Sequence, residues 1–126
     1  MERGRTVAGA GALLKVAYGV GSMLAPEWMS LREFAPEVRG HPDSRMNLRG
    51  LGGYVLGVGG VTFWTALSGR DLRPLLALNL AIDSADTVVG LLEWRDRGRL
   101  DKAALGGIGV PGFGVAVWLT ARRLGT

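Results

Sequence analysis

One stripe of polar residues interrupts an otherwise apolar segment in the second half of the chain. Asn79, Asp83, Asp86, Gly90 and Glu93 follow one another at spacings of four, three, four and three residues. These spacings place all five residues on one face of an α-helix. Two carboxylates on such a face could pair with basic side chains or exchange a proton with a substrate.

The helix that carries this stripe is one of four apolar segments. The uncharged runs over residues 50–69 and 103–121 are each long enough to cross about 30 Å of hydrocarbon as a helix. They are apolar on every side, unlike the helices of a soluble bundle. We therefore predict an all-α fold, a four-transmembrane-helix bundle that forms a single membrane domain over residues 1–126. The predicted spans cover residues 6–26, 48–69, 74–92 and 103–121.

The segment between the first two spans has a different character. Pro26 ends the first span, and several aromatic and apolar residues stand among charges after it, namely Trp28, Met29, Leu31 and Phe34. This pattern is typical of a segment at a membrane surface. We predict a short interfacial helix between helices 1 and 2 within residues 27–44, with a turn formed by Pro36, Gly40 and Pro42. Trp64, Trp94 and Trp118 fall near span ends, where they are expected to anchor the chain at the interface.

Composition excludes several classes of function. The chain has no cysteine and one histidine, which excludes disulfides, thiolate nucleophiles and histidine-rich metal sites, so we expect no metal and no cofactor. The net charge of +4 comes from short basic clusters beside acidic residues, which argues against nucleic-acid binding. The predicted location is the cell (inner) membrane, with several passes. Four spans put both termini on one side, and the concentration of acidic residues on the other side favours cytoplasmic termini.

The depths of the charged residues predict two ion pairs. Measured from the membrane face at Pro26, Lys15 and Asp83 both lie about 15 Å deep. Asp86 lies about 10 Å deep, and Arg49 enters from the same face. Charged residues at such depths need partners, so we predict the pairs Lys15–Asp83 and Arg49–Asp86. The alternative is that these charges only neutralise one another and fix the helix register.

The predicted function is the binding of a hydrophobic small molecule next to this acidic and cationic cluster. Acid/base catalysis of a cyclase, isomerase or epoxide-opening type could follow from it. The candidate catalytic residues are Asp83, Asp86 and Arg49. The candidate binding residues are Lys15, Asn79, Tyr54, Glu93 and Trp64.

Glycine-rich helix faces support two other functions. We predict that Gly53, Gly57 and Gly60 pack tightly against a neighbouring helix, because small residues let helices approach closely in lipid. If such faces bind other chains, the protein is a non-catalytic membrane partner or assembly subunit. A small oligomeric transporter is the third hypothesis. The expected partners are the lipid bilayer, a hydrophobic small molecule and a second copy of this chain bound through glycine-rich helix faces.

The chain resembles small four-helix bacterial membrane proteins of the actinobacterial type, whose function is unknown. The resemblance is based on residues 21–26 closing the first helix, Arg49-x-x-Gly52 opening the second, and Asp83-x-x-Asp86 in the third. Tyr54 stands where relatives often have a second arginine. The resemblance implies a four-helix fold and no particular activity.

Overall fold

The chain folds into four long helices and no strand within the described residues. The structure, a computed structural model, describes residues 2–26, 28–29 and 41–126. The helices are α1 (Arg3–Leu24), α2 (Pro42–Leu67), α3 (Arg73–Arg97) and α4 (Lys102–Leu124). All four are long and apolar enough to cross a membrane, which indicates a multi-pass membrane protein. The predicted all-α architecture with four spans is confirmed, whereas the choice of membrane and the side of the termini stay predictions.

The start of α2 differs from the prediction. Pro42 was expected to turn the chain, but it occupies the first turn of α2, six residues before the predicted span. Proline suits this position because its missing N–H would have had no partner there. His41 caps the helix, since its Nδ1 accepts a hydrogen bond from the backbone N–H of Asp43 at 3.3 Å. The predicted interfacial helix falls mainly on residues 27 and 30–40, which lie outside the described residues.

The helices form two hairpins, α1 with α2 and α3 with α4. Within each hairpin, glycines let the two backbones approach closely in the half of the bundle near the loops that follow α1 and α3. A Cβ added at Gly19 would lie 2.7 Å from the carbonyl oxygen of Gly52, and one added at Gly90 would collide with the backbone of Gly107. Each hairpin is therefore held by direct contact between backbones.

The two hairpins join in one half of the bundle. We call this the termini half, because α1 and α3 begin in it and α2 and α4 end in it. It contains the apolar core, formed by Ala8, Ala12, Ala66, Leu72, Leu76, Trp118 and Ala121. Gly11 of α1 lies against the Trp118 ring of α4 and brings the hairpins together. In the other half, here called the loop half, no hydrogen bond joins the hairpins among the described residues.

The predicted packing of Gly53, Gly57 and Gly60 within the chain is wrong. A Cβ added at Gly57 or Gly60 would meet nothing within 4 Å, and one at Gly53 would meet only the Met23 sulfur at 3.8 Å. Gly52 and Gly59 contact α1 instead. The glycines of α2 form two groups around the helix, Gly52 and Gly59 in one and Gly53, Gly57 and Gly60 in the other, so the sequence could not show which group faces the partner helix.

Candidate functional site

A buried ion pair joins the two hairpins, as the depths predicted. The Nζ of Lys15 on α1 lies 2.9 Å from Oδ1 of Asp83 on α3. The Lys15 side chain is 16 % exposed and the Asp83 side chain 7 %. Two opposite charges removed from solvent at this distance attract strongly, and neither is easily replaced alone.

The second carboxylate oxygen of Asp83 accepts a hydrogen bond from a side chain of α4. The indole Nε1–H of Trp118 donates a hydrogen bond to Oδ2 of Asp83, and Lys15 Nζ lies 5.3 Å from the centroid of the same indole ring. The second distance is in the range of a cation–π interaction. The contact also requires glycine at position 114, one turn before Trp118, because a Cβ there would collide with the Asp83 carboxylate.

Asn79 completes the arrangement and brings in α2. Its Oδ1 accepts a hydrogen bond from Lys15 Nζ at 3.0 Å, and its Nδ2 donates to Thr62 Oγ1 at 2.9 Å and to the carbonyl oxygen of Leu75 at 2.8 Å. The Thr62 hydroxyl in turn donates to the carbonyl oxygen of Val58 at 2.8 Å. We call Lys15, Thr62, Asn79, Asp83 and Trp118 the polar network. All four helices contribute to it, and a network satisfied in this way favours one relative position of the helices.

Asp86 lies beside the polar network but is exposed. On the same stripe of α3, Asn79, Asp83 and Gly90 are buried, although Asp86 stands between the last two. Its carboxylate makes no hydrogen bond or ion pair with any described residue. We call the accessible space beside the Asp86 carboxylate, one turn from the buried Asp83, the interior opening.

The predicted Arg49–Asp86 ion pair does not form within the chain. Arg49 is exposed, and its Nε donates a hydrogen bond to the carbonyl oxygen of Met23 near the end of α1 at 3.1 Å. The reason is the rotation of α2. Thr62 hydrogen-bonds α3, and Arg49, 13 residues earlier, projects about 140° away from it around the helix axis. Equal depth in the membrane was therefore not enough to predict an ion pair between Arg49 and Asp86, since Arg49 points away from α3.

The other candidate residues lie outside the polar network. Tyr54 is 51 % exposed and Trp64 is 63 % exposed, both on α2. Glu93 is exposed near the end of α3. The structure thus brings Lys15, Asn79 and Asp83 into direct contact, with Asp86 adjacent, and leaves the remaining candidates elsewhere.

Sequence reasoning missed two members of the polar network. Trp118 was expected at the membrane interface, but it is 1 % exposed and contacts both charges of the ion pair. A signal for this role was available in Gly114, which leaves space one turn before the indole. Thr62 is fully buried, and nothing in its spacing from the charged residues pointed to it.

Comparisons with known proteins assign this chain to no family. No protein-family model, curated protein or solved structure matches it at a significant level. The resemblance to small four-helix membrane proteins therefore stays a prediction. The function has to be argued from the geometry of the polar network and the interior opening.

Proposed function

We propose that this protein binds a hydrophobic small molecule that carries an amine or a hydroxyl group, in the interior opening beside Asp86. The observation that supports this most directly is the exposed Asp86 carboxylate, which stands on the inward stripe of a membrane-spanning helix without a partner among the described residues. A carboxylate at membrane depth is unfavourable unless something pairs with it. A donor group on a ligand would supply the missing partner.

The charges around the opening favour the same class of ligand. Asp86 is within electrostatic range of both Asp83 and Lys15. The positive charge of Lys15 is already paired with Asp83 at 2.9 Å, so an ionised Asp86 gives the group of three one net negative charge. A cationic or hydrogen-bond-donating ligand balances this charge, whereas an anion would be repelled.

The polar network provides a fixed wall for the opening. Both oxygens of Asp83 accept hydrogen bonds from the protein, and Asn79 uses its carbonyl and its amide group. Such a wall holds its shape while a ligand enters and leaves. The same hydrogen bonds disfavour acid/base catalysis by Asp83, because its oxygens would first have to lose the donors that they accept from. Any proton transfer in this site would use Asp86, and Arg49 is too far around α2 to assist it.

A labelling experiment tests this proposal. The probe is a long-chain aliphatic amine with a photoactivatable diazirine, applied to the purified protein in detergent micelles. Labelling of the wild type should be competed by the unlabelled amine and by the matching alcohol, but not by the matching carboxylic acid. Asp86→Asn should reduce labelling several-fold because the variant lacks the negative charge.

Glu93→Gln is the matched control, since Glu93 lies on the same stripe but at the exposed end of α3. It removes the same charge and should leave labelling unchanged. If the Asp86→Asn variant labels as strongly as the wild type, or if the carboxylic acid competes equally well, the proposal is wrong.

One observation favours a second candidate function, that of a membrane assembly subunit. Arg49, Gly53, Gly57 and Gly60 follow one another at spacings of four, four and three, so they share one face of α2. Gly57 and Gly60 have no neighbour within 4 Å of an added Cβ. If another chain covers this face, Gly57→Leu should change the oligomeric state in detergent and leave labelling at the interior opening unchanged.

A further inference from the structure

A second site lies between α3 and α4, on the outer side of the polar network. It is a cavity of about 150 Å³, lined by Arg73, Leu76, Ala77, Leu80, Trp118 and Arg122. Arg73 opens α3 and Arg122 lies in the last turn of α4, so both guanidinium groups stand where the helices leave the membrane in the termini half. Leu80 lies about 10 Å further along α3, given a rise of 1.5 Å per residue.

The cavity has an apolar inner part and a positively charged mouth. Its deeper wall consists of Leu76, Ala77, Leu80 and the ring of Trp118, all of them apolar surfaces. Apolar cavities of roughly this size stay free of water and accept an apolar guest as large as benzene. The cavity can therefore hold a segment of an acyl chain and is too small for a whole ligand of drug size.

The mouth of the cavity is positively charged. Arg73 Nε lies 3.1 Å from Oδ1 of Asp71, which neutralises part of its charge, whereas Arg122 forms no ion pair with any described residue. Arg122 thus leaves one positive charge at the mouth, and arginine forms paired hydrogen bonds with phosphate oxygens. An apolar groove that ends at two arginines at the membrane face matches the shape and charge of one type of molecule, a lipid with an anionic head group.

We infer that this cavity binds an anionic phospholipid of the surrounding bilayer, with one acyl chain against Ala77 and Leu80, above the buried Leu76 and Trp118, and the phosphate at Arg73 and Arg122. The site is separate from the interior opening. Trp118 lies between the two, since its ring lines the cavity while its Nε1–H binds Asp83. The inference therefore does not depend on the function proposed for Asp86.

The test measures the melting temperature of the detergent-purified protein with added dioleoyl-phosphatidylglycerol or dioleoyl-phosphatidylcholine. A ligand that binds only the folded state raises the melting temperature by an amount that grows with the logarithm of its concentration once it exceeds the Kd. The wild type should show a concentration-dependent rise with phosphatidylglycerol that exceeds the rise with phosphatidylcholine. The double variant R73Q/R122Q should lose this difference.

The double variant R70Q/R123Q is the matched control. It removes two positive charges from the same membrane face, but neither residue lines the cavity. It should keep the wild-type difference between the two lipids. If it loses the difference as fully as R73Q/R122Q does, the lipid effect comes from general surface charge and the inference is wrong. The same conclusion follows if the wild type shows no preference for phosphatidylglycerol.

A second pair of variants tests the acyl chain. Ala77→Phe places a ring in the cavity, whereas Ala85→Phe adds the same ring to an exposed position of α3 that does not line it. Only Ala77→Phe should abolish the effect of phosphatidylglycerol. Glycerol 1-phosphate, which has the phosphate without the chains, should not raise the melting temperature. A rise as large as that with the whole lipid would show that the site binds soluble phosphate instead.

Discussion

The two halves of the bundle are built from the same kinds of residue but are held together differently. In the termini half, four helices meet around an apolar core and the polar network. In the loop half, each hairpin is held by its own glycine contacts, Gly19 with Gly52 and Gly90 with Gly107. Asp86 lies at the boundary between the two halves, because it is exposed one turn beyond the buried Asp83.

This difference follows from the physics of packing in lipid. Apolar side chains gain little by leaving lipid for another helix, so helices associate through close backbone contact and polar interactions. The polar network supplies interactions between hairpins in the termini half only. The loop half has close contact within each hairpin, and no hydrogen bond joins the hairpins there among the described residues.

The largest effect is expected from breaking the ion pair that separates the halves. Asp83→Leu leaves Lys15 buried without its counter-charge and should lower the free energy of unfolding by about 3–5 kcal/mol. The double variant K15M/D83L removes both charges and should be much less harmful. Unfolding in detergent by a denaturant series measures both. Equal stability of the wild type and both variants would show that the pair is solvated and does not join the hairpins.

A smaller effect is expected from removing one hydrogen bond of the network. Trp118→Phe keeps the aromatic ring but leaves Oδ2 of Asp83 without its donor, which should cost about 1.5–3 kcal/mol, typical of hydrogen bonds to charged groups. Trp64→Phe is the control, since that indole is 63 % exposed in the span. Equal melting temperatures for the two variants would contradict a special role for Trp118.

The loop half can be tested through its glycines. Gly90→Ala places a methyl group against the backbone of Gly107 and should cost about 1–3 kcal/mol, as overpacking usually does. Gly57→Ala meets nothing within 4 Å and should be neutral or slightly stabilising, because alanine favours helices over glycine. The melting temperatures of the two variants should thus move in opposite directions, or only that of Gly90→Ala should fall.

The smallest effect concerns the N-terminus of α4. The backbone N–H of Ala104, with help from Arg97 and Arg99, lowers the pKa of Asp101, whose Oδ1 caps the helix at 3.0 Å. A carboxyl group whose pKa is lower in the folded state stabilises the fold above its unfolded pKa, and this stabilisation is lost as pH falls through the folded value. Melting temperatures measured from neutral to acidic pH should therefore fall less steeply for Asp101→Asn than for the wild type. Identical pH profiles would exclude the capping contribution.

Part of this organisation could be predicted from single residues. Long apolar runs indicated four membrane-spanning helices, and equal depth correctly matched Lys15 with Asp83 because both face the bundle axis. The same argument failed for Arg49 and Asp86, since depth gives the position along a helix and says nothing about the direction around it. Trp118 and Thr62 were missed because they carry no charge, so their presence in a span did not require a partner.

The amino-acid sequence by itself determined the helical class, the number of spans and the presence of buried charge, because hydrophobic length and the cost of charge in lipid act locally on each segment. Only the tertiary structure decided which glycines pack, which charges pair and which carboxylate of α3 stays exposed. These depend on the rotation of each helix about its own axis. In helices that are apolar and glycine-rich on most sides, that rotation is set by contacts between all four helices, which no single segment specifies.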